Sequence, residues 1–439
     1  MVWISSPVSS ISGDITPPGD KSCSHRAVLF AAMADGVSHI TGLLEGDDVL
    51  RTAEACRQLG AKVERKGAGR WVVSGSGGFA TPPETIDFGN SGTGSRLMMG
   101  AMAGYNLRVS LAGDQSLSGR PMDRVLNPLR EMGVVTSDLG PEADKLPLVL
   151  CGSSQLKAID YTPPVASAQV KSCILLAGLN AQGTTIVREP HTTRDHTERM
   201  LRGFGAEVGC TPGGDGQIVS IEGGQALKAG DFTVPADPSS AAFLIAAALL
   251  SPGSKLSIDG HMMNETRNGF LRMACQMADI DLADPREVSG EDIVTVRISG
   301  PDGLRAVNPP HDIVPAMIDE FPIFAVLAAF ADGETRVTGA KELRVKESDR
   351  IKATVKMLRV NGVEVEELED GFVVQGCAGK VPGGGIVEAC HDHRIAMSAL
   401  IMGTVSQKPV AVDDVSMINT SYPEFFAHLA QLGADIREG

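Results

Sequence analysis

The chain has 439 residues, with a formal net charge of −15 at pH 7 and a pI of about 5.1. This length is large for one domain and comfortable for two domains that each bury a full core. The negative charge argues against nucleic acid or an anionic membrane as a partner of the whole surface. Any cation-rich site must therefore be a local feature.

The cysteines and the apolar segments indicate where the protein works. The 8 cysteines are scattered, form no C-x-x-C pair and lie mostly in apolar helical patterns, so we expect free, buried thiols in a reducing cytoplasm. The N-terminus lacks a signal-peptide pattern, and the longest apolar run, AAFLIAAALL, is too short to span a bilayer. The sequence predicts a cytoplasmic monomer without membrane or nucleic-acid partners.

One pattern returns six times, at a spacing of about 72 residues. It is a helix that ends at a small residue and is followed by a short alternating strand, and a second helix with its own strand recurs between these copies. Glycine at a helix end is typical of a left-handed C-cap. The turn residues are Gly60, Gly133, Gly205, Ala278, Gly362 and Gly433.

The recurring second helices are apolar in broad blocks, such as RAVLFAAMA, AAFLIAAALL and FPIFAVLAAFA. Blocks this broad indicate helices that are buried nearly all round, whereas the alternating strands predict sheets with one wet face. We therefore expect helices inside and sheets outside. The Gly and Pro residues of AGDFTVPADPSS indicate a linker between two lobes near residue 230. The segment SGDITPPGD indicates that the chain also crosses between the lobes near its start.

The first helix entry is PGDKSCSHRAVLF, residues 18–30. Ser22 or Ser24 could simply cap the helix, which is a common use of serine at this place. Alternatively, Lys21, Ser22 and Arg26 surround the free N–H groups of a helix N-terminus, where a phosphate or carboxylate binds well. Both interpretations stay open from this motif alone.

The next entry, DFGNSGTGSRLMMG, is either a tight turn or an anion cradle. Gly92 and Gly94 allow the backbone to approach a ligand, and Asn90, Thr93 and Arg96 supply donors. The motif lacks the G-K-S/T of a P-loop, which disfavours a nucleotide.

In SGRPMDR, Pro121 fits the first position of a helix, which would place Arg120 where the helix dipole repels a cation. A cation held there favours an anion. In VASAQVK, Ser167 fits an N-cap, and Gln169 is one position too early for a capping box, which leaves its amide for a ligand.

Two acidic entries follow. In IDEFPIF, Asp319 and Glu320 either complement a helix dipole or provide a general base. In LRVKESDR, Lys346 and Glu347 either form a solvated charge run with Arg350 or move protons while Arg350 grips a carboxylate.

The last entry, EACHDHRIAM, holds His391, Asp392 and His393. Adjacent residues on one turn make a weak metal signal, so we predict no metal and assign Arg394 to anion binding. The sequence contains no serine-hydrolase elbow, zinc-binding H-E-x-x-H or dinucleotide fingerprint. Together these entries predict a two-lobed enzyme for small, highly charged anions.

These residues also carry a resemblance along almost the whole chain. The segments DKSCSHR, GNSGTGSR, GRPMDRVLNPL, ASAQVKSCILLAGL, TTRDHTERML, MIDEFPI, LRVKESDR and HDHRIAMS resemble, in this order, the 5-enolpyruvylshikimate-3-phosphate synthase family. The resemblance implies an α/β (α+β) inside-out, barrel-like fold with three βαβαββ units in each of two domains. It places residues 15–230 in an N-terminal lobe, residues 1–14 and 231–439 in a C-terminal lobe, and the active site in the interdomain cleft.

The implied reaction transfers the enolpyruvyl group of phosphoenolpyruvate to the 5-hydroxyl of shikimate 3-phosphate, without metal or organic cofactor. The resemblance implies Asp319 as the base and Glu347 with Lys21 as proton donors. The residues implied for shikimate 3-phosphate are Lys21, Ser22, Arg26, Ser167, Gln169, Arg194, Asp319 and Lys346. Those implied for phosphoenolpyruvate are Lys21, Asn90, Gly92, Thr93, Arg120, Gln169, Glu347, Arg350 and Arg394.

Departures from the family and two rival functions complete the expectations. Ala168 stands where some relatives have a second substrate-binding serine. Some relatives also have a lysine near the NTSYPEF segment, where this chain has Thr420 and Ser421. Gly92 implies sensitivity to glyphosate, because relatives with alanine there resist it. One rival is the sister transferase acting on UDP-N-acetylglucosamine, whose catalytic cysteine is missing from GDQSLSGRP; the other is a non-catalytic binder of phosphorylated ligands.

Overall fold

The computed structural model describes residues 2–439. The chain begins with strands β1 (Trp3–Ser6) and β2 (Gly13–Ile15). The elements up to residue 234 are α1 (Lys21–Met33), β3 (Asp35–Thr41), α2 (Asp47–Gln58), β4 (Lys62–Gly67), β5 (Arg70–Ser76), β6 (Ile86–Asp87), α3 (Gly92–Ala103), β7 (Arg108–Ala112), α4 (Gln115–Ser118), α5 (Asp123–Met132), β8 (Val135–Asp138), β9 (Leu148–Cys151), β10 (Asp160–Tyr161), α6 (Ala168–Gly178), β11 (Thr184–Arg188), α7 (His196–Gly203), β12 (Val208–Gly213), β13 (Gly216–Glu222) and β14 (Phe232–Thr233).

The remaining elements are α8 (Pro238–Leu250), β15 (Lys255–Met262), α9 (Gly269–Met277), β16 (Asp281–Val288), β17 (Glu291–Ser299), α10 (Phe321–Phe330), β18 (Glu334–Val337), α11 (Arg350–Val360), β19 (Val365–Leu368), β20 (Gly371–Gln375), β21 (Ile386–Val387), α12 (His393–Gly403), β22 (Val410–Val412), α13 (Phe425–Gln431) and β23 (Asp435–Glu438). Three 3₁₀ helices accompany them: His311–Met317, Lys341–Val345 and Ser416–Thr420.

The chain divides into two compact units. The N-terminal unit comprises Gly19–Val234 together with Val288–Gly290, and the C-terminal unit comprises the segment up to Pro18, Pro235–Glu287 and Glu291–Gly439. The predicted lobe boundaries, at residues 14 and 230, lie four residues before the unit boundaries at residues 18 and 234.

The repeat is visible in the sheets. In the second repeat, β6 and β7 are parallel around α3, and β9 pairs antiparallel with both β7 and β8. The same order recurs in six sheets: β14-β3-β5-β4, β6-β7-β9-β8, β10-β11-β13-β12, β2-β15-β17-β16, β18-β20-β19 and β21-β22-β1-β23. In the three-stranded sheet, an isolated parallel bridge between Arg305 and Asp332 occupies the place of the missing strand.

Each unit closes by pairing segments that are distant in sequence. In the N-terminal unit, β14 follows the third repeat and pairs in parallel with β3 of the first repeat. In the C-terminal unit, β2 pairs in parallel with β15, and β1 lies between β22 and β23 of the last repeat. The sheet pairing of the C-terminal unit therefore requires the chain to return to that unit after residue 234.

The six broad apolar helices are buried, as predicted. Every residue of α8 and α10 is buried, as are most residues of α1, α3, α6 and α12. The other helices expose one face; α2 and α5, for example, bury only about half of their residues. The prediction of helices inside is confirmed, and each buried large aliphatic side chain contributes about 1.5–3 kcal/mol to folding.

Five of the six repeat turns need a backbone that favours glycine. Gly60, Gly133, Gly205, Gly362 and Gly433 have φ angles between 82° and 111°. Ala278 leaves its helix with a φ of −155°, an extended conformation that any residue adopts. The turn at Ala278 therefore follows its helix in an extended conformation and does not need glycine.

Two further expectations concern the cysteines and membrane segments. All eight cysteines are free, but Cys210 and Cys390 are exposed, which corrects the expectation of buried thiols. Within residues 2–439, no single helix has the length and apolar character needed to cross a membrane, although His311–Met317 and Phe321–Phe330 together form one bent pair that meets those criteria.

One buried histidine in each unit should make stability depend on pH. Burial lowers the pKa of His25 to about 3, and burial together with Arg267 lowers the pKa of His261 to about 4. The unfolded chain takes up these protons below about pH 6.5, while the folded chain stays neutral. Each histidine should therefore reduce the free energy of unfolding by up to about 1.4 kcal/mol for each pH unit between 6.5 and 4.

Urea unfolding followed at several pH values between 4.5 and 7 tests this prediction. His261→Leu should flatten the pH dependence, because it removes a titrating ring whose nitrogens have no hydrogen-bond partner. His39→Gln, at an exposed position, is the control. An unchanged slope in His261→Leu would contradict the assignment.

Candidate active site

The start of α1 is capped by an aspartate. The Asp20 side chain accepts a hydrogen bond from the Cys23 amide at 2.7 Å, so neither Ser22 nor Ser24 is the cap that the sequence suggested. Ser24 Oγ instead accepts the Leu44 amide at 3.0 Å. The Lys21 ammonium, with 22% of its side chain exposed, lies 2.8 Å from Asp48 Oδ2.

Arg26 is fixed inside the N-terminal unit. Its guanidinium donates to the Ser22 carbonyl at 2.9 Å, to Thr197 Oγ1 at 2.7 Å and to Ser172 Oγ at 2.8 Å. Burial is the main cause of the lowered pKa of Arg26, and the positive charge of Arg194 adds to it. Arg26 is thus preorganised and electrostatically receptive to an anion.

At the entry to α3, side chains from three separate parts of the chain meet. Asn90 Oδ1 accepts a hydrogen bond from Arg120 at 2.6 Å. Gln169 donates to Thr93 Oγ1 at 2.9 Å and accepts from Arg96 at 2.5 Å. The sequence predicted that these side chains bind an anion, and the structure brings them together. The Gln169 amide is not left unpaired, because it bonds to Thr93 and Arg96.

Arg120 is positioned by side chains and not by a helix dipole. Helix α5 begins at Asp123 with Met122 as its N-cap, so the expectation that Pro121 occupies the first helical position is wrong. The Arg120 amide instead bonds to the Leu117 carbonyl at 3.0 Å, beyond the short helix α4. The proline precedes the cap because a separate turn follows α4.

Gly92 leaves room for the Arg120 guanidinium. A Cβ at this position would lie 3.2 Å from Arg120 Nη1 and 3.6 Å from Leu117 Cδ1. The first contact is tighter than an ordinary van der Waals contact, so an alanine would push the guanidinium away by a few tenths of an ångström. Glycine therefore permits the observed place of Arg120.

The surroundings of Arg96 carry an excess of positive charge. Burial lowers the pKa of Arg96 to about 10, and the neighbouring Arg120 and Arg124 contribute to this shift. A nearby anion would relieve the repulsion between these cations. Such an environment is suited to a phosphate or carboxylate next to the N-terminus of α3.

The entry to α6 has the predicted cap. Ser167 Oγ accepts the Val170 amide at 3.4 Å, and Ala168 is the first residue of the helix. Arg194 lies on the segment before α7 and is partly buried. These residues belong to the N-terminal unit, as do Lys21 and Arg26.

In the C-terminal unit, one carboxylate links two cations. Asp319 Oδ1 lies 3.0 Å from Arg350 Nη1 and 3.3 Å from Lys346 Nζ. Glu347 Oε2 lies 2.5 Å from Arg350 Nη2. The structure thus brings together the four residues that the sequence placed in two separate motifs.

Arg350 is held by a third carboxylate, on Asp392. Burial alone would lower the pKa of Arg350, but Asp392, Glu347 and Asp319 outweigh it and raise that pKa far above its ordinary value. Asp392 Oδ2 accepts from Arg350 Nε at 2.8 Å, while Oδ1 caps α12 by accepting the Arg394 amide at 2.9 Å. Burial would raise the pKa of Asp392, and Arg350 outweighs it and lowers that pKa.

Arg394 is oriented by the entry to α10. It donates to the Asp319 carbonyl at 2.9 Å and to Glu320 Oε1 at 3.2 Å. Glu320 is buried and also accepts a short hydrogen bond from the Ser239 hydroxyl. No local sequence pattern indicates this positioning role for Asp392 and Glu320, because their partners lie far away along the chain.

Several residues that could bind a ligand or a metal ion form local hydrogen bonds or are exposed to solvent. Thr420 donates to the Met417 carbonyl at 2.7 Å, and the His391 side chain is 90% exposed. Ligand atoms of Asp20, Cys23 and His196 lie within 4.8 Å of one another and could hold a metal ion. However, the helix cap at Cys23 and the 3.6 Å contact between Cys23 Sγ and His196 Nδ1 also account for this group as hydrogen bonds.

The chain is similar to known proteins over almost its whole length. Residues 5–429 match the family described as EPSP synthase (3-phosphoshikimate 1-carboxyvinyltransferase). The chain is 62% identical over 442 residues to the 3-phosphoshikimate 1-carboxyvinyltransferase of Hyphomonas neptunium, covering 100% of both chains. A similar protein from Parvibaculum lavamentivorans, with the same description, is 51% identical over 98% of this chain and 95% of its own.

Solved structures show the same architecture. An EPSP synthase from Acinetobacter baumannii has a TM-score of 0.90 and 40% identity, with 100% of both chains covered. The enolpyruvyl transferase NikO from Streptomyces tendae has a TM-score of 0.80 at 19% identity over 99% of this chain and 98% of its own, a likeness of fold. The predicted α/β fold class is thereby confirmed.

Proposed function

The chain belongs to the EPSP synthase family, and from this premise we propose how its residues divide the work of enolpyruvyl transfer. The reaction is the shikimate-pathway step in which phosphoenolpyruvate gives its enolpyruvyl group to shikimate 3-phosphate and phosphate is released. The observation that carries the proposal is the positive environment of Arg96 and Arg120 beside the N-terminus of α3. This positive environment is complementary to the negative charge of phosphoenolpyruvate.

In the proposal, the phosphate of phosphoenolpyruvate binds at the α3 entry, where Asn90, Gly92, Thr93, Arg120 and Gln169 lie. Its carboxylate binds to Arg350 and Arg394, since a guanidinium can grip a carboxylate with two hydrogen bonds. Lys21 neutralises charge on both substrates. These contacts hold the enol carbon in place for attack.

Shikimate 3-phosphate is assigned to the remaining polar groups of the helix entries. Arg26 and Arg194 provide charge, and the capped start of α6 provides donors for its phosphate. Ala168 adds no side-chain donor, so the phosphate has fewer side-chain contacts than in relatives with a second serine. The full proposed set is Lys21, Ser22, Arg26, Ser167, Ala168, Gln169, Arg194, Asp319 and Lys346.

Asp319 is the proposed general base. It takes the proton from the 5-hydroxyl as the oxygen forms a bond with C2 of phosphoenolpyruvate, and C3 gains a proton at the same stage. Asp319 is 14% exposed on its side chain and is oriented by Lys346 and Arg350. In the second stage the bond from C2 to the phosphate oxygen breaks and phosphate leaves, while C3 returns a proton to the Glu347 carboxylate, which restores the double bond.

Glu347 and Lys21 are the proposed proton donors to C3. In the structure Glu347 pairs with the Nη2 atom of Arg350. The substrate carboxylate can replace Glu347 on this nitrogen, which frees Glu347 to carry a proton. Arg350 keeps Asp392 on its Nε atom during this exchange. Every step is thus assigned to side chains, and the proposal requires no cofactor.

We also propose that the enzyme works as a monomer in the cytoplasm, without nucleic-acid or membrane partners. The net charge of −15 supports the first of these exclusions. The eight free thiols are consistent with a reducing compartment.

Phosphate release on mixing shikimate 3-phosphate with phosphoenolpyruvate tests the function. Asp319→Asn should lower kcat by about 10²–10⁴-fold, as expected for loss of a general base, while calorimetry still detects shikimate 3-phosphate binding. Release from UDP-N-acetylglucosamine in place of shikimate 3-phosphate would favour the sister transferase. Binding by the unmodified chain without turnover would indicate a binder.

Gly92 should make the enzyme sensitive to glyphosate. The analogue should compete with phosphoenolpyruvate in the unmodified enzyme. Gly92→Ala should weaken glyphosate inhibition and raise the KM for phosphoenolpyruvate, because the new methyl group displaces Arg120. Gly203→Ala is a control within a helix, since a Cβ there meets nothing within 4 Å. Unchanged inhibition in Gly92→Ala would contradict the role of this contact.

A further inference from the structure

Lys171 is a charged side chain inside a buried helix. It lies in α6, two residues after Gln169 in an otherwise largely apolar sequence, and its side chain is 1% exposed. Its ammonium is 3.0 Å from Glu189 Oε2 and 2.7 Å from Glu198 Oε1. Both carboxylates are buried as well.

The two carboxylates bracket the segment that carries Arg194. Glu189 directly follows β11, and Glu198 lies in the first turn of α7. Thr193, next to Arg194, donates a short hydrogen bond to Glu189. One ammonium therefore joins both ends of the segment 190–197 to the first turn of α6.

The same contacts continue to Arg26. Ser172 follows Lys171 and Thr197 precedes Glu198, and both hydroxyls accept hydrogen bonds from the Arg26 guanidinium. Thr197 also donates to Ser172 at 2.7 Å. A shift between α6 and α7 would thus displace the guanidinium of Arg26.

Stability alone does not explain a buried charge at this position. Replacing a buried ion pair by apolar residues of similar volume is often neutral or stabilising, because the charges lose their hydration. Burial alone would lower the pKa of Lys171, but Glu198 and Glu189 outweigh it and raise that pKa. The ammonium is therefore retained in its charged form, with a fixed geometry.

We propose that Lys171 is a positioning residue, whose ammonium holds the segment 190–197 against α6 so that Arg194 and Arg26 are set for shikimate 3-phosphate. This inference rests on the proposed function. It predicts that losing the ammonium affects shikimate 3-phosphate more than phosphoenolpyruvate. A residue that only stabilised the fold would affect both substrates alike.

Steady-state kinetics of Lys171→Met test the inference. The KM for shikimate 3-phosphate should rise about 10- to 100-fold, the range expected for one charge-assisted contact, while the KM for phosphoenolpyruvate changes by less than about twofold. Lys171→Arg should restore much of the affinity, because it keeps a cation between the two carboxylates. Arg188→Gln is the matched control. Arg188 directly precedes Glu189 in the sequence, but its ion pair with Asp160 is exposed.

Thr193→Val keeps the inference testable should Lys171→Met fail to fold. It removes only the hydroxyl that bonds Glu189, so it should raise the KM for shikimate 3-phosphate selectively and by a smaller factor. Unchanged KM values in a folded Lys171→Met, or an equal rise for both substrates, would overturn the inference. An unmodified chain that releases no phosphate from the two substrates would instead defeat the proposed function.

Discussion

A helix that is buried on every side can present polar groups only at its ends. Helices α8 and α10 are wholly buried, and α1, α3, α6 and α12 nearly so. In both units these helices pack against one another and against the sheets, and the polar side chains of the chain's motifs therefore collect at the helix entries. The N-terminal N–H groups of such helices favour anions. The same packing that stabilises each unit thus determines where its charged chemistry can be.

An incoming anion meets a different electrostatic environment in each of the two units. Around Arg96 in the N-terminal unit, burial and the neighbouring cations Arg120 and Arg124 lower its pKa, and a bound anion would relieve the repulsion between these cations. Around Arg350 in the C-terminal unit, three carboxylates already satisfy the guanidinium. In the proposed reaction, the substrate carboxylate replaces Glu347 on this guanidinium, which connects substrate binding to the release of the proposed proton donor.

The sequence predicted the features that depend on local pattern. Glycine at the repeat turns, apolar blocks in the helices and polar residues at the entries all depend on nearby residues, and the structure confirms these features. The choice of cap does not follow from local pattern, because Asp20 and Ser22 are both good N-caps and only the backbone geometry selects Asp20. Pro121 was misplaced because an additional short helix, α4, changes the register of its turn.

The remaining misses depend on contacts between distant parts of the chain. Asp392 lies in a motif with a weak metal signal, yet its main partner is Arg350, 42 residues away. A lysine within the apolar run of α6 was a visible signal for a buried ion pair, but its partners Glu189 and Glu198 could not be chosen from the sequence. Ion-pair partners depend on how repeats pack, which spacing along the chain does not reveal.

The central claim is that the entries of the buried helices hold the anionic groups of the substrates. A crystal structure of the chain with bound shikimate 3-phosphate tests it most directly. We predict the phosphate group at the N-terminus of α6, within hydrogen-bond distance of Ser167 and Gln169. A phosphate bound on an outer sheet, away from every helix entry, would contradict the account.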